Sequence, residues 1–291
     1  MRLAVGVFLV LLAVLGCKQA PGDSPASNID EVRGKQYQRI VSLAPNMTET
    51  LFLVGADTQV VGRSFFCDFP AEVEALPVVP GGVNPDLERL VELKPDLVVT
   101  LDTLAPGLPG EFLRDNGIEL YWSRVETAAD VTRTLVELGE LTGHKGTADK
   151  LAQQLESEVE AMRGKSSKTR VLFIHGHRPL ITAGKDSWGD QLLRLAGVTN
   201  AAGQLEKKYP VLDLEQIVAL EPDYVVDTSF AEDQRTLESF WAQFDALGMF
   251  KVVYLSQPSL LRPGPRVVEA AELIRSAMAG LPAGENKGSG K

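Results

Sequence analysis

The 291-residue chain holds only three histidines and two cysteines, and its basic residues are outnumbered by its acidic ones. Three histidines leave little material for a multi-histidine metal centre. Two cysteines cannot build a disulfide framework. Lysine and arginine total 29 against 39 aspartates and glutamates, for a formal net charge of −10. A protein that tracks phosphates needs a basic face, so nucleic acid is not an expected partner. The apolar run at 3–15 is 13 residues long, short of the roughly 20 that cross a bilayer as a helix. No Gly-x-Gly-x-x-Gly follows the first expected strand, and there is no Walker A lysine. Around Ser187, Lys185 stands where the first glycine of a nucleophile elbow belongs, and no Asp/His pair is spaced to complete a triad. His175-x-His177 lacks the further His and Asp of a dinuclear hydrolase. An enzyme is therefore not expected. What is present is ordinary globular material, 44% hydrophobic and 23% charged. It is enough to bury a core, over a length that suits about two domains or lobes.

Arg2 ahead of the apolar run reads as a secretory signal. Its end, Val14-Leu15-Gly16-Cys17, resembles a bacterial lipobox, whose cysteine is diacylated and becomes the mature N-terminus. The expectation is a signal peptide over 1–16, then lipidated Cys17 and a flexible tether over 17–38 rich in Pro, Gly, Ser and Asp. The lipid would hold a secreted protein to a membrane, in the periplasm or on the outer cell surface. A cleaved, unlipidated signal is the alternative. With Cys17 lipidated, Cys67 has no disulfide partner. The Gly- and Lys-rich segment 282–291 reads as a disordered tail.

Between these ends, short Val- and Ile-rich runs alternate with longer amphipathic ones. Strands are expected at 39–43, 60–63, 97–100, 119–122, 170–174, 181–183, 224–226 and 252–255. Helices are expected at 47–54, 87–93, 108–116, 128–142, 147–165, 187–196, 214–220, 234–244 and 266–279. The alternation indicates an α/β fold with largely parallel sheets. Asn46 with Glu49 three residues later has the form of a capping box. DLERLVELKPDLVVT at 86–100 returns as DLEQIVALEPDYVVD at 213–227, identical at nine of fifteen positions after 127 residues. In each copy an Asp caps a short helix, Pro-Asp stops it and an apolar strand begins. The offset is too long for a solenoid and suits two lobes of one design. Leu151, Leu155, Val159 and Met162 mark one face of a helix between the copies. That gives an N-terminal lobe at 39–144, a linking helix at 145–168 and a C-terminal lobe at 169–281.

Four segments carry a family resemblance: RIVSLAPNMTE at 39–49, VGRSFFCDFP at 61–70, NPDLE at 84–88 with KPD at 94–96, and ITAGKDS at 181–187. In order and spacing they resemble the iron-chelate and vitamin B12 class of substrate-binding proteins that feed bacterial ABC importers, closest to the cobalamin-binding members. The resemblance runs from about 39 to 281. It implies two Rossmann-like lobes joined by one long α-helix, with ligand held in the cleft between them. It also implies an ABC importer permease as partner, no resident cofactor, and a protein that acts as a monomer. The transported ligand it implies is cobalamin or another corrinoid, with haem or a ferric siderophore as alternatives. A lipid-anchored adhesin or sensor without a transporter is a remote alternative.

Glu88 and Glu215 hold the same place in the two repeat copies, and the resemblance assigns each to a permease arginine. In the first helical turn each also favours the helix dipole, which is the purely structural alternative. Phe66 follows an expected strand end, where α/β sheets present ligands. The resemblance makes it the aromatic that packs on the ligand's flat face. Cys67 either touches ligand or is a small buried apolar residue. Tyr209 matches an aromatic of the cleft, and Arg262 a cleft arginine suited to carboxylate or phosphate. His175 and His177, at a strand end, offer an imidazole to a metal centre or to a polar ligand rim. The loops at Gly82 and Asp102 complete the implied ligand set. Neither carries the tryptophan of the cobalamin pattern, and residues 257–259 lack its acidic residue.

Overall fold

The structure, a computed structural model, describes residues 25–164, 167–229, 234–245 and 248–281. The expected signal peptide, Cys17 and the tail at 282–291 lie outside the described residues.

The first lobe is wound around β1 (Ile40–Ser42), β2 (Val60–Ser64), β3 (Val78–Val79), β4 (Leu97–Leu101) and β5 (Glu119–Ser123). They form one sheet in the order β3-β2-β1-β4-β5, and every pairing is parallel. β1 is buried at all three positions and β4 at its first four, as central strands covered on both faces must be. That coverage is why their sequences are apolar runs without alternation. Around the sheet lie α1 (Ile29–Val32), α2 (Pro45–Val54), α3 (Leu87–Glu92), α4 (Gly110–Asp115) and α5 (Ala128–Thr142). After α6 (Lys145–Met162) the second lobe follows the same plan. It holds β6 (Arg170–His177), β7 (Leu180–Thr182), β8 (Thr199–Asn200), β9 (Tyr224–Asp227) and β10 (Lys251–Tyr254), with α7 (Trp188–Ala196), α8 (Leu214–Ala219), α9 (Gln234–Asp245) and α10 (Val267–Ala279). Its sheet runs β10-β9-β6-β7, with β8 also on β6, and only β7 is antiparallel. The two-residue strands β3 and β8 are not among the expected elements. Two residues carry no periodicity to read.

α6 buries Ala148, Ala152, Leu155, Val159 and Met162. One core contains residues of this face together with α2 and α5 of the first lobe and α7 and α10 of the second. A Cβ on Gly139 of α5 would stand 2.2 Å from that of Ala148, so the two helices touch backbone to side chain there. The linking segment is thus a spine shared by both lobes. Its helix occupies Lys145–Met162 of the 145–168 span.

The repeat is a matched pair of structural devices. Asp86 accepts the Arg89 amide at 3.0 Å, and Asp213 accepts the Gln216 amide at 2.8 Å. Lys94 and Glu221, each before a proline, end their helices with φ of 48° and 45°. Arg39 donates to the carbonyls of Leu93 and Lys94, and Arg170 to those of Leu220 and Glu221. Helix-end carbonyls without internal partners are thereby satisfied. Asp96 accepts the Gln38 and Arg39 amides, and Asp223 that of Arg170. Each lobe therefore clamps its short helix to the start of a central strand. The arginines lie outside the fifteen-residue match, so the repeat alone does not point to them.

Two expectations are corrected. The tether expected over 17–38 is, from residue 25 onward, part of the first lobe. Asn28 bonds Leu120 and Trp122 along the edge of β5, and the Ala26 carbonyl accepts the Arg124 amide. Ile29, Val32 and Tyr37 enter the core. A polar composition hid these few apolar anchors, and the segment covers a sheet edge that would otherwise be open. The capping box at Asn46 and Glu49 does not form either. α2 starts at Pro45 with Ala44 as its cap. Asn46 donates instead to the Pro263 carbonyl at 2.7 Å, and Glu49 takes two bonds from Arg266 at 2.9 Å each. Partners 217 residues away have won over the local backbone. Glu49 is nearly inaccessible, so removing it leaves Arg266 with a largely buried, undercompensated charge. Glu49→Ala is expected to cost about 3 kcal/mol of unfolding free energy. Urea denaturation measures this, and an unshifted midpoint would show that the pair does not hold the lobes.

Candidate functional site

In parallel α/β sheets the loops that meet ligands leave the C-terminal ends of the strands. In the first lobe β2 leads into Phe65 and Phe66, which are 72% and 57% exposed. Their rings meet edge to face at 5.7 Å. Large apolar groups left in water in this way need a local cause, and Cys67 supplies it. Its thiol is fully buried, with Thr48 Oγ1 at 3.0 Å and Ser64 Oγ at 3.2 Å. Cys67 therefore lies beneath the loop, not on its surface. It draws the chain inward and leaves the two preceding rings outside. Arg63 fastens the same turn through the carbonyls of Ser64, Cys67 and Glu74. Gly82 packs beside Phe66, whose ring edge would be 3.6 Å from a Cβ placed there. Its neighbour Gly81 has φ of 108° and no room for a side chain, since a Cβ at that position would stand 2.1 Å from the Asn84 carbonyl oxygen. Val83 and Phe69 extend the exposed apolar set. Asp102, past the end of β4, is paired with Arg124 at 2.9 Å.

In the second lobe β6 carries both histidines. The His175 ring lies 4.9 Å from Phe173 and 5.3 Å from Tyr209. Its Nε2 is buried without a hydrogen-bond partner among the described residues. Burial lowers its pKa to about 4, so the imidazole is neutral near pH 7. Tyr209 remains 46% exposed and Val211 58%. Burial raises the Tyr209 phenol above its ordinary value, opposed by a bond from the Trp188 backbone. A register shift between Ile174 and Gly176 turns His177 to the other side of the sheet. There its Nε2 lies 2.7 Å from Asp227, against the rings of Phe240 and Trp241. Trp241 Nε1 and the Ser229 amide also donate to Asp227. Burial opposes ionisation of Asp227, yet the bonds from His177, Trp241 and Ser229 outweigh it and lower its pKa. The structure thus brings Phe66 to Gly82 and His175 to Tyr209, while His177 faces a separate cavity.

Arg262 is engaged rather than free. It grips Asp68 with two bonds, the longer 3.0 Å, and joins the second lobe to the loop that carries Phe66. The Arg262 bonds outweigh burial and lower the Asp68 pKa. Arg266 lies 4.1 Å over the ring of Phe69 as well as on Glu49. A second crossing pairs Lys208, beside Tyr209, with Glu126, and Gln191 accepts the Ala128 amide at 2.6 Å. Asp68, Glu49, Arg266, Lys208 and Glu126 are not singled out as site residues by the sequence. Their partners are distant in the chain, and the only hint is the position of Asp68 within the FFCDFP run.

Glu88 and Glu215 both lie in the first turns of short helices, α3 and α8, and neither has an ion-pair partner among the described residues. Among the described residues no three His, Cys, Asp or Glu side chains could hold a metal ion together, and no helix is long and apolar enough to cross a membrane.

Residues 40–249 match the family described as periplasmic binding protein. The vitamin B12-binding protein of Vibrio parahaemolyticus is 26% identical over 240 residues, covering 80% of this chain and 86% of that protein. Among solved structures, the periplasmic vitamin B12 binding protein of Vibrio cholerae superposes with a TM-score of 0.69 at 22% identity, over 84% of this chain and 97% of the other. A periplasmic heme binding protein from Pseudomonas aeruginosa gives 0.72 at 21% identity, over 86% and 94%. At these identities the two structures speak to the fold alone.

The buried His175 makes a prediction about acid stability. Its pKa of about 4 lies below the unfolded value of 6.5. Its contribution is therefore complete above pH 6.5 and is lost as pH falls toward 4. The loss is expected to reach roughly 3 kcal/mol. Denaturant unfolding at pH 7, 5.5 and 4 should show a shallower acid slope for His175→Phe than for the parent. Parallel slopes would place the acid sensitivity elsewhere.

Proposed function

Because the chain belongs to the periplasmic binding protein family, an extracytoplasmic group that binds small ligands and serves ABC importers, we propose that it captures cobalamin or a related corrinoid between its lobes. It then delivers that ligand to an importer permease. The observation that carries this reading is the exposed apolar surface at the strand ends of both lobes. Phe65, Phe66, Phe69 and Val83 supply it on one side, and Tyr209 and Val211 on the other. Contiguous rings left in water mark a binding surface, and rings are suited to a large, flat partner. The relatives named for vitamin B12 support the corrinoid.

A second reading, haem, is favoured by one observation. His175 is a neutral imidazole with an unbonded Nε2 against the ring of Tyr209, the type of donor that iron takes. In either case Phe66 and Tyr209 form the apolar walls and Gly82 the floor beside Phe66. Cys67 holds the loop from below, Asp102 lies at the rim with Arg124, and Arg262 holds the lobes through Asp68. Glu88 and Glu215 are the permease-docking points, one on each lobe, where complementary charge sets register. Lipidated Cys17 would keep the protein beside the membrane that holds the permease.

Calorimetry on a chain beginning at residue 18 tests the ligand. Saturable 1:1 binding of cyanocobalamin, weakened about tenfold or more by Phe66→Ala or Tyr209→Ala, is the expected result. Silence with cyanocobalamin and a Soret shift with haemin would transfer the protein to haem. Silence with both would overturn both readings and leave ferric siderophores to be titrated. Docking is tested in cells: Glu88→Arg with Glu215→Arg should leave ligand affinity unchanged and abolish uptake, and surviving uptake would remove that assignment.

A further inference from the structure

Two residues beyond His175, on the opposite side of the same strand, a cavity of about 420 Å³ opens between the β6–β7 turn and the start of α9. His177, Arg178, Arg235, Thr236, Ser239 and Phe240 line it. Neither Arg178 nor Arg235 has a hydrogen-bond or ion-pair partner among the described residues, in a chain whose net charge is −10. Most other described arginines are tied down, such as Arg124, Arg133, Arg262 and Arg266 on carboxylates and Arg39 and Arg170 on carbonyls. Two guanidinium groups lining one cavity with no carboxylate among its described lining residues repel each other, and an anion relieves that repulsion. The third feature is His177. Its side chain is only 2% exposed and fixed through Nε2 to Asp227, yet its Nδ1 is buried with no partner among the described residues. A buried polar atom left unbonded is costly unless a ligand completes it; with Nε2–H given to Asp227, Nδ1 of a neutral ring accepts, so a ligand hydroxyl or N–H beside the anion completes it, not the oxyanion itself. The Asp227 carboxylate that orients the imidazole also accepts from Trp241 and Ser229.

We infer that this cavity is an oxyanion subsite. Arg178 and Arg235 hold a phosphate or carboxylate arm of the ligand, with Ser239 as hydroxyl donor and His177 as the positioned wall. The flat body of the ligand meanwhile lies on Phe66 and Tyr209. This deepens the binding reading above and rests on it for the body of the ligand. The anion chemistry of the cavity stands apart from that reading. The arm is either the phosphoester of a corrinoid or a carboxylate of a porphyrin or siderophore, and both offer planar or tetrahedral oxygens that suit a guanidinium fork.

The test uses the chain from residue 18 and two series of probes. Inorganic phosphate and citrate are titrated while the imidazole nitrogen resonances are followed by NMR. Saturable movement of the His177 signals without movement of His144 is expected, weakened at least tenfold when Arg178→Met and Arg235→Met are combined. Phosphate the tighter of the two assigns a phosphoester arm, and citrate the tighter a carboxylate arm. Cobinamide phosphate against cobinamide, and haemin against its dimethyl ester, then ask whether the whole ligand uses the cavity. At least tenfold tighter binding of the anionic member in the parent, lost in the double variant, is expected of whichever pair binds. No movement of His177 with either anion, or an anion affinity unchanged in the double variant, overturns the subsite. So does a bound pair whose members bind equally. Anion binding at His177 with all four larger probes silent would remove the corrinoid and haem readings and leave the subsite intact.

Discussion

The two lobes hold their relation because a carboxylate on the second helix of the chain meets an arginine near its end. Glu49 and Arg266 are joined by two bonds of equal length in a largely buried setting. Asn46 and Pro263, Arg262 and Asp68, and Arg266 and Phe69 surround that pair. Together they fasten the segment before α10 to the loop and helix that follow β1 and β2. The shared core through α6 determines how the lobes are joined, and this cluster determines where the rims of the cleft come to rest. A charged pair so enclosed stabilises little compared with apolar packing, but it tolerates only one geometry. In a binding protein that geometry decides which surfaces face each other.

The candidate site follows from the same economy of buried anchors. Exposed rings are unfavourable alone, and the chain keeps Phe65 and Phe66 outside by burying the residue that follows them. The thiol of Cys67 is the right size for a small polar nest formed by Thr48 and Ser64. On the facing lobe the exposed Tyr209 rests against the largely buried His175, while His177 and Asp227 are both buried and hold each other. Phe65, Phe66 and Tyr209 are thus each displayed beside a hidden residue. The surface is therefore preorganised, and little ordering remains to be done when a ligand arrives.

Several features are legible in the amino-acid order alone. The repeat announces two lobes of one plan, and the caps at Asp86 and Asp213, the proline stops and the strands after them occur where the pattern puts them. These are local matters of helix capping, backbone restriction and apolar runs, and local sequence encodes them. α5 is bounded as expected because Thr127 and Gly143 are strong signals at its two ends. The docking of residues 25–38 is not legible, since three apolar anchors in a polar stretch leave no periodicity.

Sequence by itself determined the α/β alternation, the duplicated lobe and the identity of the aromatics after β2. Tertiary structure alone decided that Asn46 and Glu49 leave the helix start whose capping pattern they match. It also decided that Arg262 is spent on Asp68, that Cys67 lies under the cleft surface, and that two neighbouring histidines face opposite sides of one sheet. The physical reason is the same in each case. A cap or a helical face is settled within a few residues, whereas a buried charge or an unpaired polar atom is satisfied by whatever the fold brings beside it. Those partners here lie as far as 217 residues apart.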